Sequence, residues 1–225
     1  MSFGFSQATF DFLTALEANN AKDWFDAHKS DYETHLKAPA LALIDSLSAE
    51  MARLDPALKC EPRINGSLKR INRDVRFSKD KSPYNPRIHM VFWAGTHPNR
   101  SAAMHVVIGP RSLGYGAGQF GFEPAALDRI RNGIMQADSR TELVKAMDSA
   151  KRVGCSMGEP DLKNLPRGYA SAEDWEYLLR YKTFVTRTRN DKPVPKWATN
   201  SSIVPEILSL TRACLPFVKW LHAHG

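Results

Sequence analysis

The residue types best suited to chemistry are concentrated in one stretch of the chain, from Arg70 to Tyr84. Its sequence is RINRDVRFSKDKSPY, in which arginines and lysines are interleaved with carboxylates and hydroxyl groups. Guanidinium groups bind phosphate and carboxylate oxygens through two parallel hydrogen bonds, and ammonium and hydroxyl groups add further donors. The pattern therefore predicts a site that binds a small anion, either a phosphate or a carboxylate. The side chains predicted to form it are Arg73, Asp74, Arg76, Ser78, Lys79, Lys81 and Tyr84.

The positive charge of the chain is concentrated in the same region. Between Lys59 and Arg87 there are nine basic and three acidic residues, a net charge of +6, whereas the whole chain carries +7. The remainder of the chain is therefore close to neutral. Concentrated charge of one sign creates a local potential that attracts ions of the opposite sign, so an anionic ligand or partner is expected.

Three hypotheses account for this basic segment. In the first, it is the anion site of an enzyme acting on a small phosphorylated or carboxylated metabolite, with Asp74 or Asp80 orienting a basic group or accepting a proton. In the second, it binds nucleic-acid phosphates, and Phe77 and Tyr84 stack on bases. In the third, the aspartates neutralise neighbouring bases in an ion-pair network of a structural or interaction protein. A concave pocket favours the first hypothesis, and an open basic surface favours the second.

Two other site types find little support in the sequence. The string G-x-G-x-x-G from Gly116 to Gly121 lacks the buried strand and the acidic residue that a dinucleotide site requires, so a sheet bulge or tight turn is predicted there. The histidines show no H-E-x-x-H spacing, and a zinc site needs three or four converging ligands. His89 and His105 are therefore predicted to be structural, and neither a cofactor nor a metal ion is expected.

The segment from Arg70 to Tyr84 also has a recognisable pattern. It closely resembles the hallmark R-I-x-R-D-x-R-F-S-K-D-K-x-P-Y of domain of unknown function 2461, a family of bacterial and fungal proteins. The resemblance extends to motifs at residues 10–25, 114–131, 162–169 and 178–182, with Tyr181 where the family pattern has a histidine. It implies a shared fold, but it implies no activity, because none is established for the family.

The elements that must position these residues follow from the hydrophobic pattern. Apolar residues recur every three or four positions in the first third of the chain, which predicts helices, one of them beginning near Pro39. Residues 88–93 and 104–108 have the pattern of strands, and the short connections near them permit only antiparallel pairing. Helical patterns return after Pro124. Later elements are predicted as a capping box at residues 171–174, a strand at 183–189 and a C-terminal helix at 205–222.

Together these patterns predict one α+β domain spanning residues 1–225, in which N-terminal and C-terminal helices pack on an antiparallel sheet. Hydrophobic residues make up 43% and charged residues 24% of the chain, a composition that excludes disordered, fibrous and disulfide-rich classes. No apolar run approaches the ~18 residues of a membrane helix, so no membrane partner is expected. Three widely separated cysteines predict reduced thiols in a cytoplasmic protein. The oligomeric state stays open.

Overall fold

Helices occupy the first third of the chain, as the spacing of its apolar residues predicts. The computed structural model of the protein describes residues 4–169, 173–188 and 193–225. Pro39 lies in the first turn of α4 (Ala38–Leu54), which continues directly from a π-helical turn (Tyr32–Lys37). The elements before α4 are α1 (Gln7–Ala18), α2 (Lys22–Ala27), α3 (Lys29–Asp31) and a π-helical turn (Tyr32–Lys37).

The strands of the described residues are β1 (Leu58–Lys59), β2 (Ile88–Ala94), β3 (Ala102–Ile108), β4 (Leu113–Gln119), β5 (Ser156–Met157) and β6 (Phe184–Arg187). They form one six-stranded antiparallel sheet with the order β1-β2-β3-β4-β6-β5. Helices at both ends of the chain flank this sheet, which confirms the predicted α+β class. The two strands predicted in the middle of the chain are β2 and β3, and both extend slightly beyond their predicted limits.

Helical structure returns after β4, as predicted. The remaining helices are α5 (Pro124–Met135), α6 (Ala137–Arg152), two 3-10 turns (Glu176–Arg180 and Lys196–Thr199) and α7 (Ile203–His224). The predicted capping box begins at Ser171 and the predicted last strand ends at Arg189, and both of these positions lie outside the described residues. Within the described ranges, no helix combines the length and apolar character needed to cross a bilayer.

The chain divides into two compact units. Unit 1 comprises Met1–Phe92, His105–Gly114 and Arg189–Ser209, and unit 2 comprises Trp93–Met104, Tyr115–Thr188 and Leu210–Gly225. Each unit has fully buried apolar side chains of its own. In unit 1 they include Leu13, Leu16, Ile44, Leu47 and Met51, and in unit 2 Ile130, Ile134, Phe184, Phe217 and Leu221. The basic segment belongs to unit 1, and the single domain of residues 1–225 stays a prediction.

The glycine-rich segment before α5 differs from its prediction. Gly116 and Gly118 lie inside β4, which pairs in antiparallel register with β6, and only Gly121 lies in the connection to α5. A Cβ atom on Gly118 would lie 2.0 Å from the carbonyl oxygen of Phe184, and one on Gly116 would lie 2.8 Å from that of Thr186. These glycines allow two backbones to approach closely. Because glycine is depleted in strands generally, the sequence pattern does not indicate this strand.

Candidate functional site

The basic segment forms a long, irregular hairpin within unit 1. Its two arms, residues 67–73 and 83–91, run antiparallel and exchange backbone hydrogen bonds. The Val91 N–H donates to the Ser67 carbonyl at 2.8 Å, and at the other end the Arg73 N–H donates to the Pro83 carbonyl at 2.8 Å. Residues 74–82 therefore form the connecting loop, which we call the basic loop. Proline is tolerated at residue 83 because its carbonyl group, and not an N–H group, makes the pairing bond.

An asparagine from the N-terminal helices fixes the base of this loop. The Asn20 side-chain amide donates to the Tyr84 carbonyl at 2.9 Å, and the Tyr84 N–H donates to the Asn20 amide oxygen at 3.0 Å. The amide thus pairs with the backbone as a neighbouring strand would. The Tyr84 ring is buried and stacks on Phe25, with ring centroids 4.2 Å apart. Tyr84 was predicted to contact the ligand, but the structure does not bring its ring to the surface with the basic side chains.

One ion pair joins the end of a hairpin arm to the far side of the loop. Arg73, whose side chain is only 22% exposed, contacts Asp80 through Nη1 and Oδ2 at 2.5 Å. The same guanidinium donates to the Ser82 carbonyl at 3.1 Å and to the Ser78 hydroxyl at 3.4 Å. Hydrogen bonds from the Ser82 hydroxyl and N–H, followed by Arg73, lower the pKa of Asp80 to about 2. Arg73 and Ser78 therefore lie together around the carboxylate of Asp80, and their role in binding a ligand stays a prediction.

A second ion pair orients the outer arginine. Arg76 donates through Nε to Asp74 Oδ1 at 3.0 Å and through Nη2 to Asp74 Oδ2 at 2.7 Å. These hydrogen bonds lower the pKa of Asp74 to about 2. The pair is exposed to solvent, with 75% of the Arg76 side chain accessible. Exposed ion pairs contribute little to folding stability, so this pair fixes geometry more than it stabilises the fold.

Pairing does not remove the positive charge of the segment. The third carboxylate between residues 59 and 87, Glu61, contacts Arg63 at 2.5 Å, so every acidic group of the segment already has a basic partner. Lys81 donates to the Val75 carbonyl at 3.0 Å, a neutral acceptor that leaves the lysine charge uncompensated. The basic side chains of this segment that form no ion pair within the described residues are Lys59, Arg70, Lys79, Lys81 and Arg87.

Unit 1 contains a second cluster of ionisable groups, formed by two histidines that the sequence analysis predicts to be structural but does not predict to pair. His89 on β2 and His105 on β3 share a hydrogen bond of 2.9 Å between Nε2 of the first ring and Nδ1 of the second. Burial lowers the pKa of His89 to about 3, with smaller contributions from His105, Arg87 and Lys69, and burial lowers the pKa of His105 to about 4. Both strands were predicted, but the register that places these rings side by side was not.

Lys69, on the first arm of the hairpin, lies next to the histidine pair. The Lys69 N–H donates to the His89 carbonyl at 2.9 Å, which sets Lys69 beside His89 on the neighbouring arm. Burial also lowers the pKa of the Lys69 ammonium group. Within the described parts of the chain, no group of three or more His, Cys, Asp or Glu side chains is arranged to hold a metal ion. The two neutral imidazoles are best described as a satisfied polar pair in the sheet.

These observations define an α+β protein that presents a basic loop at the end of a hairpin. The model of a family described as "Conserved hypothetical protein (DUF2461)" matches residues 8–220. The match spans nearly the whole chain, and the chain belongs to this family, which confirms the resemblance seen in the sequence. No curated protein and no solved structure matches the chain.

Replacing Asn20 by Ala is expected to destabilise unit 1 by about 1–3 kcal/mol, because it leaves the half-buried N–H and carbonyl groups of Tyr84 without their partner. The measurement is the free energy of unfolding in urea. Asn19→Ala is the matched control, since the exposed Asn19 amide donates only to the Ala15 carbonyl of its own helix. Equal losses in the two variants would contradict the role assigned to Asn20.

The histidine pair predicts that stability decreases in mild acid. Both imidazoles stay neutral in the folded protein down to pH values near their pKa of about 4 and about 3. In the unfolded chain they take up protons near pH 6.5. Folding stability is therefore complete above pH 6.5 and decreases as the pH falls towards 4. We expect a loss on the order of a few kcal/mol between pH 7 and pH 5 in urea unfolding.

The control for this pH dependence is a comparison of variants. His89→Gln/His105→Gln should show a flatter dependence of unfolding free energy on pH. His222→Gln, at an exposed histidine, should retain the wild-type dependence. Measurements stay above pH 5, where the protonation of Asp74 and Asp80 makes no contribution. A wild-type stability that is flat over this range contradicts the neutral pair.

Proposed function

We propose that the basic loop binds phosphate groups, which makes this protein an anion-binding member of its family. The observation that carries the proposal is the charge that remains after all internal ion pairs are formed. Lys79 and Lys81 are exposed and have no carboxylate partner in the described chain, while both aspartates of the loop are already occupied by arginines. An uncompensated positive field at a loop tip favours an anion from solution.

The ion pair between Arg76 and Asp74 also supports the proposal, because it orients the guanidinium group and leaves some of its N–H donors free. Asp74 occupies the edge of Arg76 formed by Nε and Nη2, so the Nη1 donors of the same guanidinium point elsewhere. Charge-assisted hydrogen bonds from such a group to a phosphate oxygen are among the stronger polar contacts in proteins. A phosphate monoester carries a charge of about −1.5 to −2 near neutral pH and matches a pair of lysines better than a single carboxylate does.

The aspartates favour binding over acid–base catalysis at this loop. With pKa values of about 2, Asp74 and Asp80 hold no proton at neutral pH and are weak bases. A general acid or base works best with a pKa near the operating pH. Of the two roles expected for these carboxylates, orientation of a basic group therefore has the better support, and proton transfer has little.

Because the basic side chains are exposed, they can contact a ligand that is too large to enter a pocket. Of the four basic residues predicted to bind the anion, Arg76, Lys79 and Lys81 are exposed and Arg73 is largely covered. Such a surface suits a phosphate carried on a larger molecule better than a metabolite enclosed in a cleft, because an enclosed small ligand requires convergent walls. Phosphate recognition at an open surface is thus the function that we propose.

The double variant Lys79→Ala/Lys81→Ala is expected to weaken the binding of pyrophosphate about tenfold or more, since each lysine supplies a charge-assisted contact. Isothermal titration calorimetry at low ionic strength measures this directly. Lys29→Ala/Lys145→Ala removes the same charge from two separate exposed helical positions and should bind as the wild type does. Lys79→Ala alone tests the site without breaking the hydrogen bond between Lys81 and Val75.

Two results would contradict the proposal. One is a wild-type protein that binds neither inorganic phosphate nor pyrophosphate at low ionic strength. The other is an equal loss of affinity in the loop variant and in the control variant, which would show a response to net charge and not to the basic loop.

A further inference from the structure

We infer that the phosphate-bearing ligand of the basic loop is a single-stranded nucleic acid, one base of which stacks on Phe77. The inference rests on the proposed function, because the same lysines would bind the phosphates next to that base. Phe77 has the most exposed large apolar side chain of the described residues, with 94% of its surface accessible. An exposed ring in a loop that also carries two lysines without a carboxylate partner in the described chain matches the alternation of base and phosphate in a single strand.

The backbone of the loop sets the ring at its apex. The Ser78 N–H donates to the Val75 carbonyl at 3.3 Å, which closes a four-residue turn with Arg76 and Phe77 as its central residues. Phe77 at this turn makes almost no burying contact, so its ring is accessible to a partner.

Side-chain contacts connect the apex to the rest of the loop. Asp74 fixes Arg76 on one side of the turn, and Lys81 donates across the loop to the Val75 carbonyl. The Arg76 guanidinium carbon lies 5.8 Å from the centre of the Phe77 ring, within the range of a cation–π contact. A binding surface that is already ordered loses less conformational entropy when it binds.

A nucleobase fits this apex better than a lipid surface does. Stable membrane attachment requires a broad apolar face or several insertion signals, whereas the apex offers a single ring flanked by charges. A base needs only one aromatic face and places its phosphates within reach of adjacent cations. In a duplex the bases are already stacked on one another, so an unpaired strand is the form that presents a free face.

The segment offers an exposed aromatic ring for one base. Tyr84, the other aromatic residue of the segment, is buried against Phe25 and presents no free face. One stacking position gives modest affinity and little dependence on base identity, since every base has a π-face. The two lysines without a carboxylate partner in the described chain, Lys79 and Lys81, then account for the charge that meets the phosphates, and Arg76 adds its free Nη1 donors.

Fluorescence anisotropy with a short labelled oligothymidylate, repeated at several salt concentrations, tests the inference. Two phosphates neutralised by Lys79 and Lys81 on a single strand predict that log K falls with log salt with a slope of about −1.4. Phe77→Ala is expected to weaken binding about tenfold at every salt concentration without changing the slope. Phe77→Trp should retain affinity because it retains a stacking face. Phe120→Ala is the matched control, since Phe120 is also exposed, at 64%, but belongs to unit 2.

The possible results distinguish a failure of the inference from a failure of the proposed function. If pyrophosphate binds through Lys79 and Lys81 but Phe77→Ala binds the oligonucleotide as the wild type does, the inference is wrong and the proposed function stands. If neither pyrophosphate nor the oligonucleotide binds, both are wrong. Phe77-dependent binding to phosphatidylserine vesicles, with no binding to the oligonucleotide, would also overturn the inference in favour of a lipid surface.

Discussion

The two ion pairs inside the basic loop determine both the shape of the loop and the field that it presents. Arg73, at the end of one hairpin arm, holds the loop residue Asp80 against that arm, and Asp74 holds Arg76 at the turn. Since each carboxylate neutralises one arginine, the remaining charge resides on the lysines. The pairs are exposed or only partly covered, so they contribute more to geometry than to the free energy of folding. The loop is therefore folded around two ion pairs and carries two lysines that have no carboxylate partner in the described chain.

Backbone and side-chain contacts from the hairpin arms and from Asn20 fix the base of this loop. The hairpin arms are paired along their length, and Asn20 supplies from a neighbouring helical region the backbone partner that Tyr84 would otherwise lack. The stacking of Tyr84 on Phe25 adds an apolar anchor beneath the loop. Rigid support of this kind is typical of binding loops, whose side chains carry function while the scaffold holds them in place.

The sequence was informative where a property is local and uninformative where it depends on distant partners. The concentration of charge, the α+β class and strands β2 and β3 were predictable because each has a local signal. The burial of Tyr84 was not, since it depends on residues more than fifty positions earlier. The pairing of His89 with His105 requires a strand register that periodicity does not specify. Within the basic segment the sequence allowed an ion-pair network or an anion site. The structure shows the ion pairs together with a surplus of cations, and ligand binding stays a prediction.

The most direct test of the account is a titration of the ¹⁵N-labelled protein with pyrophosphate, followed by backbone amide chemical shifts. The account predicts that the largest shift changes occur in residues 75–82 and saturate together, as expected for one site. Changes in the core of either unit should be small, because none of the buried core side chains lies in the basic loop. Shift changes centred on another surface, such as the exposed lysines of α6, or an absence of any saturable change would contradict a phosphate-binding role for the basic loop.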